Sequence, residues 1–249
     1  MSTAPLSIDD VTEQQLAKAI DHSLLRPELD DDFIADGCRL AAEYDVASVC
    51  VRPTDVARAA ELLAGTDVAV GTVVGFPHGS STTATKVAEA REALAAGATE
   101  LDMVIDIGAL KSGRDAQVAT DIGAVVEVAH AAAAIVKVIL ENAFLTDDEK
   151  VRGCRAAESA GTDFVKTSTG FAPGGATHED LALMRRTVSN HVQVKAAGGV
   201  RTLDDLLAVM ALGVTRIGAT QTKPILDEYR SRRAGATANA APAAGHGGY

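Results

Sequence analysis

Short apolar runs alternate with longer amphipathic stretches along almost the whole chain, and this rhythm limits the fold more than any other feature. Strand patterns cover 19–23, 48–51, 68–74, 100–105, 135–140, 163–166, 192–196 and 216–218. Helical patterns fill the intervals at about 31–44, 56–63, 82–95, 117–132, 147–160, 178–189 and 203–211, and a last one covers 223–233. Gly65, Gly97, Gly161 and Gly213 stand just before a strand, where helices stop. Eight strand–helix units in 249 residues is the count of a (β/α)8 TIM barrel. An open doubly wound sheet also alternates, but seldom with eight units so evenly spaced. No linker divides the pattern, so one catalytic domain is expected over 1–233, with a short N-terminal helix (12–18) closing the barrel floor. Residues 234–249, rich in Ala and Gly, read as a flexible tail.

Composition excludes several classes. The formal net charge is −11, which argues against nucleic acid and anionic membrane as partners. Cys38, Cys50 and Cys154 lack the spacing of a disulfide framework or a thiolate metal site. Residues 1–10 have neither a basic nor an apolar leader region, and no apolar run reaches membrane-spanning length, so a cytoplasmic protein is expected.

The strands carry charges where a buried strand should carry none. Phe164 to Gly170 and Val192 to Gly199 each run from an apolar stretch through a lysine, Lys166 and Lys195, into glycine. Burying an ammonium costs several kcal/mol unless it is paired or loses its proton. A single such lysine most simply bridges to a helix; a matched pair points to chemistry. Strand five adds Lys137, which by alternation shares a face with Ile135, Ile139 and Glu141. Strands one and four bring Asp21 and Asp102. In this fold the active site lies at the C-terminal strand ends. Three amines balanced by at least Asp21 and Asp102 therefore suggest imine chemistry. At pH 7 only about one free lysine in 2,500 is neutral. A second cation nearby and partial desolvation lower the pKa, and reaching about 7 raises the neutral fraction roughly a thousandfold.

Glycines suggest an anionic end to the substrate. Gly170 follows strand six, Gly198 and Gly199 follow strand seven, and Gly218 with Thr220 ends strand eight. Loops seven and eight of such barrels commonly hold phosphate through backbone N–H groups. Arg201 adds a charge and Thr167 a hydroxyl. The histidines are scattered; His22 and His78 are the pair that could meet in space, and no metal is expected.

Val165-Lys166-Thr167-Ser168-Thr169-Gly170 and Val194-Lys195-Ala196-Ala197-Gly198-Gly199 are the most specific segments of a wider pattern. Ile20 to Leu25, Gly75-Phe76-Pro77-His78-Gly79, Glu100 to Val104 and Lys137 to Glu141 complete it. On these residues the chain resembles the deoxyribose-phosphate aldolases, class I (Schiff-base) enzymes, over nearly all of its folded body. The resemblance implies that Lys166 forms the imine and that Asp102 and Lys195 give and take protons. It further implies a (β/α)8 barrel without metal or cofactor, often a homodimer, acting on a phosphorylated sugar and releasing acetaldehyde. Thr220 and Gln221 stand where members of the family often have serines, and Phe171 brings an apolar wall. Tyr249 ends the tail either as a passive terminus or as a phenol that folds over the mouth to protonate the enamine carbon.

Three rivals remain at this level. Another imine-forming, phosphate-binding barrel would want an arginine for a carboxylate beside Lys166, and none is committed there. A pyridoxal-phosphate barrel also needs a lysine and a phosphate site, and would be coloured. A non-catalytic barrel would have little use for Lys166, Lys195 and Asp102 together.

Overall fold

The computed structural model of the chain describes residues 5–235. Its strands are β1 (Ile20–Leu24), β2 (Ser48–Val51), β3 (Ala69–Val74), β4 (Glu100–Val104), β5 (Ile135–Ile139), β6 (Phe164–Lys166), β7 (Gln193–Ala197) and β8 (Arg216–Ala219). All are parallel and lie in sequence order, and β1 pairs with β8 to close the barrel. The helices are α1 (Glu13–Ala17), α2 (Asp31–Glu43), α3 (Val56–Leu62), α4 (Thr83–Ala95), α5 (Ile107–Lys111), α6 (Asp115–Ala131), α7 (Asp147–Ser159), α8 (His178–Thr187), α9 (Leu203–Ala211) and α10 (Thr222–Arg233). The (β/α)8 expectation is met, with most boundaries within a residue or two. The short helix α5 was not anticipated. It is a single turn started by Asp106, whose carboxylate accepts from Ala109 N–H, and Gly108 hides it from a periodicity reading. Tyr249 and residues 236–248 of the expected tail lie outside the described residues.

Local chemistry explains the element order. Strands covered by side chains inside and helices outside must be apolar on both faces, and β2 and β4 are buried at every residue. Helices start where a side chain takes up an orphan N–H. Asp30, Thr82, Thr146, Thr177 and Thr202 cap α2, α4, α7, α8 and α9, each worth about 1 kcal/mol. Thr146 with Glu149 and Thr202 with Asp205 form reciprocal capping boxes. The short helix α1 packs against α10, and the Tyr229 hydroxyl donates to Val11 C=O at 2.8 Å. Among the described residues no helix is long and apolar enough to cross a membrane.

Outside the barrel, a wholly buried Lys86 on α4 clamps the end of β4. Its Nζ donates to Val104 C=O at 2.9 Å and meets Asp121 of α6 at 2.5 Å, and Asp121 also accepts from the Thr83 hydroxyl. Gly75, with φ +63°, leaves room for it: a Cβ there would sit 2.8 Å from Lys86 Cε. The clamp fixes the strand end two residues beyond Asp102.

Candidate active site

Inside the barrel, Asp102 holds three amines. Its Oδ1 accepts from Lys137 at 2.8 Å, and its Oδ2 from Lys166 and Lys195, each at 2.7 Å. Register puts them there: Asp102 on β4 lies opposite Lys137 on β5, and Lys166 on β6 opposite Lys195 on β7. Asp21 on β1 touches Lys195 at 2.5 Å and Lys137 at 3.5 Å, and accepts from the Ser48 hydroxyl at 2.7 Å. The five residues expected at one mouth therefore meet, although Lys137 stands mid-strand rather than at a strand end.

Two charges escaped the sequence reading. Glu100 meets Lys137 at 2.6 Å, and Arg216 bridges Glu100 at 2.6 Å and Asp21 at 2.7 Å. Alternation could have found both, since Glu100 is two residues before Asp102 and Arg216 two before Gly218. The complete cluster holds four basic groups (Lys137, Lys166, Lys195, Arg216) and three carboxylates (Asp21, Glu100, Asp102).

That imbalance falls on Lys166. It has a single carboxylate partner, whereas Lys195 has two and Lys137 three. Burial pushes the Lys166 amine below its ordinary value; Asp102 opposes this and the Lys195 ammonium adds to it. Burial also acts against the charged forms of Lys195 and Lys137, but their carboxylates outweigh it and hold both above the usual range. For Asp102, burial favours the neutral acid, yet Lys137, Lys166 and Lys195 together keep it well below the carboxylate range. One amine is thus pushed toward its neutral form beside groups that are held in their charged forms.

Above the amines the two sides of the mouth differ. Leu25, Cys50 and Val73 form a small apolar cluster of their own with Phe76 against it, and the Phe171 ring meets Phe76 edge-on at 5.2 Å. Burial pushes the Cys50 thiol up to about 11, so it stays protonated at neutral pH. The opposite side is backbone and hydroxyls. Thr167 donates to Ala197 C=O at 3.2 Å and accepts from Ala197 N–H at 3.0 Å, a strand-to-strand tie. Ser168, two residues past Lys166, is buried with no hydrogen-bond partner for its hydroxyl among the described residues. Glu141, in the left-handed region at φ +58°, leaves the amine cluster and accepts from the Thr169 N–H and hydroxyl.

The glycines have a packing reason as well. Loops six and seven press backbone to backbone: a Cβ on Gly175 would lie 2.7 Å from the Gly198 carbonyl carbon, and Ala176 N–H donates to Gly198 C=O at 2.9 Å. Gly170, Gly198 and Gly199 all have positive φ, whereas Gly218 does not, and added bulk there meets only ordinary contacts. Arg201 and Thr220 are exposed, and Gln221 begins α10 without a side-chain cap.

His22 faces away from the amines, its Nδ1 2.9 Å from the Thr222 hydroxyl at the start of α10, while His78 is exposed. Among the described residues no group of three or more His, Cys, Asp or Glu side chains is arranged to hold a metal. Burial pushes the His22 imidazole down to about 4, against about 6.5 for a free one. The unfolded chain therefore takes up the proton first, and this contribution to stability, present above pH 6.5, is lost as pH falls toward 4. The loss amounts to about 3 kcal/mol at most. Urea midpoints at pH 7 and pH 5 are expected to diverge in the native chain and to converge in His22→Asn.

The family model described as DeoC/LacD family aldolase matches residues 15–236. A deoxyribose-phosphate aldolase of Geobacillus sp. (strain WCH70) is 53% identical over 215 residues, 86% of this chain and 96% of that protein. One of Bacillus cereus (strain AH187) is 54% identical over 211 residues, 85% and 94% of the two chains. The tetrameric deoxyribose phosphate aldolase of Aeropyrum pernix superposes with a TM-score of 0.82 at 29% identity, over 89% of this chain and 93% of that one.

Proposed function

The chain belongs to the DeoC/LacD family of aldolases, and on that premise we propose that it reversibly cleaves 2-deoxy-D-ribose 5-phosphate to acetaldehyde and D-glyceraldehyde 3-phosphate through an imine on Lys166. It is an aldolase, a carbon–carbon lyase. One observation carries the choice of nucleophile: of the three amines inside the barrel, Lys166 alone has a single carboxylate for a partner, in a cluster with one basic group too many.

The steps keep the barrel's charge constant. Neutral Lys166 adds to the open-chain C1 aldehyde, and the Lys195 ammonium protonates the carbinolamine hydroxyl so that water leaves. The iminium then carries the positive charge that Lys195 gave up. As C2–C3 breaks, its electron pair neutralises the iminium to an enamine, and the C3 hydroxyl proton returns to Lys195. Lys195 next protonates the enamine carbon, and hydrolysis releases acetaldehyde and Lys166. Asp102, bonded through one oxygen to both amines, stays ionised and holds the two aligned for these proton transfers. Asp21 and Lys137 hold this pair in place.

The phosphate is assigned to the glycine loops, with N–H groups of Gly170, Gly198, Gly199 and Gly218 and the uncapped first turn of α10 as donors. Thr220 and Arg201 are exposed beside them. Ser168, rather than Thr167, is the hydroxyl free to meet a substrate hydroxyl. Ser168→Ala is expected to lower kcat/KM about tenfold with no change in Tm, and Thr167→Ala to lower Tm instead. We also take the protein to be a cytoplasmic homodimer. Phe33 of α2 and Leu62 of the adjacent α3 are exposed apolar side chains that such a contact would cover, and light scattering tests the mass.

The decisive experiment mixes the protein with acetaldehyde and borohydride and maps the product by mass spectrometry. A single two-carbon adduct on Lys166 supports the reading; one mainly on Lys195 exchanges the two roles. No adduct removes imine chemistry.

A further inference from the structure

Arg216 and Glu100 touch no reacting atom in the steps above, yet both are built into the same interior. They are the first residues of β8 and β4. Arg216 Nη2 reaches both Glu100 oxygens at 2.6 and 2.7 Å, its Nε reaches Asp21 Oδ1 at 2.7 Å, and its guanidinium carbon lies 5.9 Å from the Phe164 ring centre. A guanidinium does not deprotonate in a protein, so this charge is permanent.

The groups around the amines come from every strand. β1 gives Asp21, β2 the Ser48 hydroxyl and the Cys50 thiol, and β3 only apolar Val73. β4 gives Glu100 and Asp102, β5 Lys137, β6 Lys166, β7 Lys195 and β8 Arg216. The buried Lys86–Asp121 pair joins α4 to α6 outside the barrel and is closed on itself.

With Arg216 present, three ammonium groups would bring the interior to four positive charges against three negative. Among groups this deeply buried, the excess charge favours release of one proton, and the least-partnered amine, Lys166, releases it. Without Arg216, three ammonium groups would match three carboxylates. Asp21 and Glu100 would then turn wholly to Lys195 and Lys137, leaving Asp102 to hold a proton on Lys166. Both effects act in one direction.

We propose that Arg216, anchored by Glu100, is a positioning residue that sets the proton count of the three lysines and so keeps Lys166 a free amine at neutral pH. This rests on Lys166 being the nucleophile.

The test follows the pH dependence of kcat/KM, together with acetaldehyde and cyanoborohydride labelling of Lys166, in the full chain and in R216M, R216K, E100Q and E100Q/R216M. In R216M the acid limb is expected to rise by about one pH unit or more, so that the rate at pH 7 falls about tenfold or more and recovers toward higher pH. R216K, which keeps the charge, holds the original limb. E100Q/R216M, which loses one charge of each sign, returns to within about half a unit of it. An R216M rate lowered by the same factor at every pH, or a double variant whose limb stays as high as that of R216M, overturns the proposal. If R216M does not fold, E100Q/R216M is compared with E100Q: a higher limb in the double variant supports the proposal and coincident limbs overturn it. Failure of the Lys166 reading is separate, because the native chain would then label elsewhere or not at all.

Discussion

Lys166→Leu is expected to lower kcat/KM by about four orders of magnitude or more while leaving the chain as stable as before, or more so. The activity loss follows from removing the nucleophile, for which the remaining amines are poor substitutes: Lys195 and Lys137 are each held charged by two or more carboxylates. Stability moves the other way for the same reason that chemistry works. Three basic groups then face three carboxylates, and an amine whose burial favours the neutral form is replaced by an apolar side chain. The two measurements are aldolase assay and thermal melting on one preparation. A variant with lost activity and a Tm several degrees lower would contradict this account of the cluster.

Asp102→Asn is expected to damage both properties. The carboxylate accepts from Lys137, Lys166 and Lys195, and an amide leaves the three amines facing one another. Removing one member of a buried ionic network costs about 3–5 kcal/mol, so Tm falls by many degrees. The rate falls about a thousandfold, since the link between the two working amines is gone. The pH profile of what remains has a defined sign. Asp102 raises Lys195; without it Lys195 loses its proton at lower pH, and the basic limb, which reports the proton donor, moves down. A basic limb that stays in place would mean that Lys195 is not the donor.

Much of this was legible in the sequence because the strands of a closed barrel are apolar on both faces. A lysine or aspartate inside such a run stands out, so Asp21, Asp102, Lys137, Lys166 and Lys195 could be named before any coordinates. Glu100 and Arg216 were placed in the expected strands but missed as site residues, because chemistry was sought at the C-terminal strand ends and each of them opens its strand. Thr167 was preferred to Ser168 because composition counts hydroxyls without direction. Thr167 is taken up by the Ala197 backbone, whereas the buried Ser168 hydroxyl has no hydrogen-bond partner among the described residues. The glycines of loops six and seven were read for a ligand, and the approach of Gly175 to Gly198 gives part of their reason in packing. That contact joins segments far apart in sequence, which no local pattern reports.

The order of the charges along the chain bears on how the barrel assembles. All three interior carboxylates come from the first four strands, on β1 and β4, and all four basic groups come from the last four, β5 to β8. A half-barrel formed from either end therefore carries interior charge of one sign, which keeps it hydrated and opposes premature collapse. Only when the halves meet at β4–β5 and β8–β1 do opposite charges pair and water leave. The ions that tune the nucleophile thus also tie the two halves of the barrel together, because neither half holds counter-charges for its own interior groups.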